Sequence, residues 1–249
     1  MVPLNIVILG TAGSGKTTLT SGFGKWIKKN IGKSVSFINL DPGCESLPFS
    51  PDFDIREWFT IEKLMREEGL GPNGAMVRVS ELLEENAENF SKRVREFSAD
   101  IRLIDTPGQM EIFLFHGGAE FIKHLDGVTV AVFLLDAKTM RTSTDIVFAR
   151  LLELSIGLEL GVKTIGVINK IDQAKKEMEA LLADAQLLQK NLEREIGGVE
   201  VDLALRLYKI LMEFLPPARF PRICAKTCEG FQELYDIIYE TFCACGDLT

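Results

Sequence analysis

The chain has no apolar stretch long enough to cross a bilayer: the longest, Val128 to Leu135, falls far short of the roughly 20 residues a membrane helix needs. It also lacks an excess of positive charge. Lysine and arginine number 28 against 36 aspartates and glutamates, giving a net charge of −8 and a pI near 5.0, which argues against a broad electrostatic grip on nucleic acid. Histidine is nearly absent, with only His116 and His124, and neither has a third ligand at metal spacing. The five cysteines do not form paired C-x-x-C motifs, so free thiols are expected rather than a zinc site or disulfide framework. The N-terminus shows no charged n-region followed by a cleavable apolar segment, and a cytoplasmic location without a membrane is expected.

What is present centres on Leu4 to Thr18. An apolar run stops at Gly10, and Gly10, Gly15, Lys16 and Thr17 fit G-x-x-x-x-G-K-[ST], with Gly13, Ser14 and Thr18 completing the stretch. Glycines let successive backbone N–H groups point at one anion, and the helix that follows adds the positive end of its dipole. Lys16 should reach the β- and γ-phosphates, and the Thr17 hydroxyl should ligate Mg²⁺. Without a ligand, the same pattern would be an ordinary strand-to-helix turn.

A helix is expected from Lys16 to about Ile31, weakened by Gly22 and Gly24. The next apolar run, Val35 to Leu40, delivers Asp41 into a loop at the phosphate end of the sheet, although Asp-Pro-Gly is also good turn chemistry. Helical spacing follows over Ile55 to Glu68 and again over Met76 to Phe97. Between them, Gly69 to Gly74 reads as a loop. The strand Ile101 to Ile104 ends in Asp105-Thr106-Pro107-Gly108-Gln109, where Asp105 would hold Mg²⁺ directly or through water. The Gly108 N–H could meet the γ-phosphate, and Gln109 could orient a water.

A helix broken at Gly117-Gly118 leads to the strand Val128 to Leu135, Asp136, and an amphipathic helix over about Thr142 to Leu160. The strand from Lys163 ends in Asn169-Lys170-Ile171-Asp172. A carboxylate can accept two hydrogen bonds from guanine N1 and N2, a donor pair that adenine lacks, so Asp172 is the candidate for base selection. Asn169 could support the phosphate loop or the base, and the Lys170 stem could lie on the ring. From 173 to about 217 the pattern is a helical insertion, with leucines recurring at 181, 182, 187, 188 and 192 and apolar positions again at Leu203, Leu207, Ile210, Leu211 and Phe214. A short strand, Arg222 to Cys224, then brings the Ala225 backbone N–H to where it could meet guanine O6, before a last helix over about Phe231 to Phe242.

Together these motifs predict a three-layer, doubly wound α/β fold, a mostly parallel sheet with helices on both faces, over 1–249 as a single domain. An insertion at about 45–97 and the helical one at about 173–217 interrupt it. In this order the motifs look like those of a GTPase, and Gly71-Pro72-Asn73 between the second and third makes the chain resemble the GPN-loop GTPases. The resemblance implies Mg²⁺-dependent hydrolysis of GTP to GDP in a homodimer. It places Thr17, Asp41 and Asp105 on the metal, Gln109 on the water, and Asn73 across the interface at the partner's γ-phosphate. A protein client connected with RNA polymerase assembly follows from family analogy alone. Two rivals stand beside this reading: an ATP-dependent kinase or ATPase, and a nucleotide-binding scaffold without turnover. The absence of an early loop lysine, where Thr11 stands, counts against a deviant-loop ATPase.

Overall fold

The structure, a computed structural model, describes residues 2–174, 180–181, 185–194, 198–214 and 220–246. Strand β1 (Leu4–Gly10) is buried along its whole length, which an apolar strand requires when both sheet faces are covered. The other strands are β2 (Val35–Asn39), β3 (Phe53–Asp54), β4 (Ile101–Asp105), β5 (Val128–Asp136), β6 (Lys163–Asn169) and β7 (Arg222–Ile223). All seven pair in parallel in the order β3-β2-β4-β1-β5-β6-β7. Every strand therefore ends at one edge, and the loops that follow them share it.

Among the described residues, two helices cover one face. In α1 (Lys16–Asn30), Leu19, Phe23 and Ile27 recur at helical spacing and pack with Ile6, Ile8 and with Phe231 and Leu234 of the last helix, Phe231–Gly246. Gly24 has a packing reason to be glycine: a Cβ there would sit 2.3 Å from the Phe37 ring. The opposite face carries α2 (Ile61–Glu67), α3 (Pro72–Arg95), α4 (Met110–Phe115), α5 (Gly118–Lys123) and α6 (Ser143–Leu160). There Val79, Leu83, Phe90, Phe113 and Ile156 close over Val7, Ile38, Ile104 and Phe133. Thr142 starts α6 with a complete capping box, its side chain accepting from the Asp145 N–H while the Asp145 carboxylate accepts from Thr142.

The helical insertion contributes α7 (Ala185–Arg194) and α8 (Val199–Phe214). Leu181, Leu188, Leu192, Tyr208 and Leu211 are buried and join Ile146 and Val147 of α6, so the described part of the insertion extends the core. Leu203 and Ile210 face outward, and Leu182 lies outside the described residues. The final helix, here α9, runs to Gly246, beyond the expected end at Phe242. Among the described residues, no helix is long and apolar enough to cross a membrane.

Two segments differ from expectation. Ile55 to Glu68 is not one helix. The pair Phe53–Asp54 adds an edge strand beside Ile38 and Asn39, a 3-10 turn covers Ile55–Glu57, and α2 starts afresh at Ile61. The reason is local: Asp54 and Thr60 each cap a backbone N–H ahead of them, Arg56 and Lys63 respectively, which makes two helix starts where periodicity shows one. Nor is Gly69 to Gly74 loop throughout. Gly71 is the N-cap of α3 and Pro72 its first residue, so Asn73 and Gly74 lie in a helical first turn.

Candidate active site

After β1 the backbone of Gly10, Gly13 and Gly15 takes positive φ values of 152°, 77° and 99°, a path that side-chain-bearing residues resist. A Cβ on Gly10 would lie 2.6 Å from the Leu134 carbonyl, and one on Gly15 would lie 2.5 Å from Asn169 Nδ2, so the curl fits closely against the ends of β5 and β6. The loop ends where α1 begins, with its free N–H groups at the sheet edge. Lys16 is 6% exposed, and its ammonium donates to the carbonyls of Gly10 at 2.8 Å and Thr11 at 3.2 Å, with that of Gly108 at 3.5 Å. Burial pulls its pKa below the ordinary lysine value, against the charges of Asp105, Asp41 and Glu111.

Asp105 ends β4 beside this lysine and is 1% exposed. Burial pushes its carboxyl up to about 7. The Thr17 and Thr20 hydroxyls and Lys16 lower it, while Asp41 adds to the rise. Neither carboxylate oxygen closes a well-aligned hydrogen bond, and Ser14 Oγ in the phosphate loop is likewise buried without a partner. Unpaired buried acceptors are costly in an apolar setting, so all three atoms point to a bound group. Asp41 is half-buried, its Oδ1 accepting from the Gly43 N–H at 2.9 Å; burial raises its pKa against the Gly43 and Gly108 N–H groups and Lys16. Two carboxylates and the Thr17 hydroxyl form a hard oxygen donor set, which fits Mg²⁺. Asp41 and Gly108 line a cleft of about 210 Å³ with Ala12, Met76, Gln109 and Ile112.

The second cleft, about 250 Å³, lies on the other side of the loop and is lined by Gly15, Thr18, Asn169, Lys170, Asp172 and Ala225, among others. Asn169 is buried and ties two loops together: its Nδ2 donates to the Ser14 carbonyl at 2.8 Å, and its Oδ1 accepts from the Ala225 N–H at 3.0 Å. That bond occupies the Asn169 oxygen with protein, and the Ala225 N–H expected near a base is spent on it. Lys170 has a left-handed backbone, φ 63°, and its ammonium donates to the Gly13 carbonyl at 2.8 Å and to Asp136 Oδ2 at 2.5 Å. Asp172 is exposed, accepts from Gln173 Nε2 at 3.2 Å and from the Cys224 thiol at 3.4 Å, and both bonds lower its pKa.

Two motif residues stand apart. Gln109, the N-cap of α4, is exposed at the rim of the first cleft without a side-chain cap bond. Asn73 is exposed on the first turn of α3, and its side chain makes no hydrogen bond with another described residue, while Met76 and Val79 of the same helix line that cleft. Asp136, to which the motifs assign no role, ends β5 as Asp105 ends β4, and its carboxylate accepts from the Lys170 ammonium.

A parallel sheet whose carboxyl edge carries a glycine loop, a buried lysine, two carboxylates and a base-sized cleft defines a phosphate-loop nucleoside triphosphatase. A family model described as a conserved hypothetical ATP binding protein matches residues 8–244. A GPN-loop GTPase of Pyrococcus abyssi is 40% identical over 251 residues, covering 98% of this chain and 99% of that one. The crystal structure of a GTPase in apo form from the same organism aligns over 97% of this chain and 98% of that one, with a TM-score of 0.88 and 37% identity. GPN-loop GTPase 1 of Dictyostelium discoideum is 30% identical over 95% of this chain, which spans 61% of that longer protein. The chain belongs to the GPN-loop GTPase family.

Proposed function

We propose that this protein hydrolyses GTP to GDP and phosphate, with Mg²⁺, in a dimer whose subunits complete one another's sites. The observation that carries the reading is the buried Asp105 carboxylate, left without a well-aligned hydrogen bond beside Thr17, Lys16 and Asp41. Thr17, Asp41 and Asp105 would hold Mg²⁺, which when bound neutralises phosphate charge. The loop N–H groups and Lys16 bind the phosphates and hold negative charge as it develops during transfer. The Gly108 N–H would meet a γ-phosphate oxygen, and Gln109 at the cleft rim would orient the water that attacks phosphorus. As the new P–O bond forms, the bond to the β-phosphate oxygen breaks and GDP leaves.

Asp172 supports guanine over adenine: an ionised carboxylate accepts twice and donates nothing, which matches guanine N1–H and N2–H. Asn169, its polar ends already engaged, acts as the brace between phosphate loop and base cleft. Asn73, exposed at the start of α3 with its side chain unpaired among the described residues, supports the dimer reading, since it is presented outward from a helix. A client in RNA polymerase assembly rests on family analogy alone. The family model's description speaks of ATP, so the deciding experiment compares GTP and ATP turnover in the parent and in Asn73→Ala, with mass in solution under each nucleotide. GTP should be strongly preferred, and the dimeric form should carry the activity. Equal turnover of both nucleotides, or full activity in a strict monomer, would overturn the reading.

A further inference from the structure

The loop that carries Asp41 follows β2 and precedes the edge strand Phe53–Asp54. Backbone bonds from the Leu40 N–H to the Asp105 carbonyl at 2.8 Å and from the Ile61 N–H to the Pro42 carbonyl at 3.2 Å anchor it, and three polar side chains add to them. Asn39 is fully buried at the end of β2, and its amide brackets the Asp41 peptide: Oδ1 accepts the Asp41 N–H at 3.1 Å, while Nδ2 reaches the Asp41 carbonyl at 3.3 Å. The same Nδ2 donates to Asp54 Oδ1 at 2.8 Å. Asp54 is then gripped by Arg56, whose Nε donates to both carboxylate oxygens at 3.0 Å and whose Nη2 donates to Oδ2 at 2.6 Å. Arg56 Nη1 turns the other way, to the carbonyls of Cys44 at 3.1 Å and Glu45 at 3.4 Å.

The first part of the Asp41 loop is thus held at two points, by Asn39 at Asp41 and by Arg56 at Cys44 and Glu45, with Asp54 joining the two. All three guanidinium nitrogens are committed to the protein, which makes Arg56 a strut and leaves it no free face for a phosphate. The side chains of Asp54 and Arg56 are only 11% and 23% exposed, so these bonds are not an exposed surface pair open to full solvent screening. Two of the three residues come from the segment between the second and third motifs, the same insertion that supplies α3.

We propose that Asn39, Asp54 and Arg56 are positioning residues that preset the Asp41 loop for Mg²⁺. This rests on Asp41 as a metal holder. Groups that orient a metal ligand cost roughly 10- to 100-fold in metal affinity when removed. The test titrates Mg²⁺ calorimetrically into the full chain loaded with a non-hydrolysable GTP analogue, for the parent, Arg56→Lys, Asp54→Asn and Asp41→Asn. Amide hydrogen exchange over residues 40–46 is followed in the nucleotide-free proteins. Arg56→Lys keeps the charge but loses the fork, so a roughly tenfold weaker Mg²⁺ affinity with faster exchange over 40–46 is expected, and the same for Asp54→Asn. Parent-like affinity in both variants would overturn the inference, including the case in which they melt earlier, since a purely structural strut lowers melting temperature alone. A parent that takes up no Mg²⁺, or an Asp41→Asn variant that binds it as well as the parent, would instead overturn the metal role of Asp41 on which the inference stands.

Discussion

Asp105 is a carboxylate removed from water without a closed hydrogen bond, and its titration couples to stability. Burial, the largest cause, raises its folded pKa to about 7, well above the unfolded value of 3.8. Between those values the folded state binds the proton more tightly, so this group's contribution is fully present below about pH 4, is lost as pH rises, and is gone above about pH 7. In metal-free, nucleotide-free protein, Asp105→Asn should therefore melt near the parent at pH 4 and increasingly above it towards pH 7, with a constant gap beyond. Thermal melts across that range test this, and a pH-independent gap would contradict it. Asp172 acts on selectivity. Asp172→Ala should weaken GDP binding by about 10- to 100-fold, the scale of losing charge-assisted hydrogen bonds, and leave ADP binding unchanged in a fluorescence titration. A parallel loss for both nucleotides would remove Asp172 from base recognition. Lys16, Asp105 and the 169–172 tetrapeptide were legible from sequence because each motif is contiguous and sits at the end of an apolar run. Asn39 and Asp136 were not, because their partners lie 15 and 34 residues away and depend on which strands become neighbours.

Helix α3 places the Gly-Pro-Asn stretch in a helical turn, and that alters what a mutation there should do. Pro72 at the first helical position lacks the N–H that a helix start leaves unpaired, and Gly71 supplies the extended cap. Asn73 is exposed and its side chain makes no hydrogen bond among the described residues, so Asn73→Ala should change stability by less than about 0.5 kcal/mol. If Asn73 acts at a γ-phosphate, turnover should nevertheless fall by about 10²-fold or more, the scale of one lost transition-state donor. Denaturant melts and single-turnover hydrolysis on the same samples separate the two effects. At α6, Thr142→Ala removes one arm of the capping box and should cost about 1 kcal/mol by chemical unfolding, with hydrolysis unaffected. Helix periodicity located α1, α3 and α6 because each buries a stripe over several turns. It could not show β3, since two residues are too short for alternation, and it joined the 3-10 turn to α2 because their caps interrupt the backbone without interrupting the apolar spacing.

At the scale of the molecule, parallel pairing of all seven strands gathers the strand-end loops at one edge, which is why distant motifs meet around the phosphate loop. The fold class was readable from alternating strand and helix patterns, whereas the strand order was not, since it depends on long-range pairing such as β4 entering between β2 and β1. Lys16, Asp41, Asp105 and Asp172 all belong to one subunit's edge, while Asn73 stands exposed on the insertion. The central claim is that this residue acts on the other subunit's nucleotide. Its most direct test mixes two inactive proteins, Asn73→Ala and Lys16→Ala, after subunit exchange, and measures GTP turnover. A mixed dimer holds one site with Lys16 from one chain and Asn73 from the other, so random exchange should restore about a quarter of parental activity per subunit. A mixture no more active than the sum of its two components would contradict a shared site.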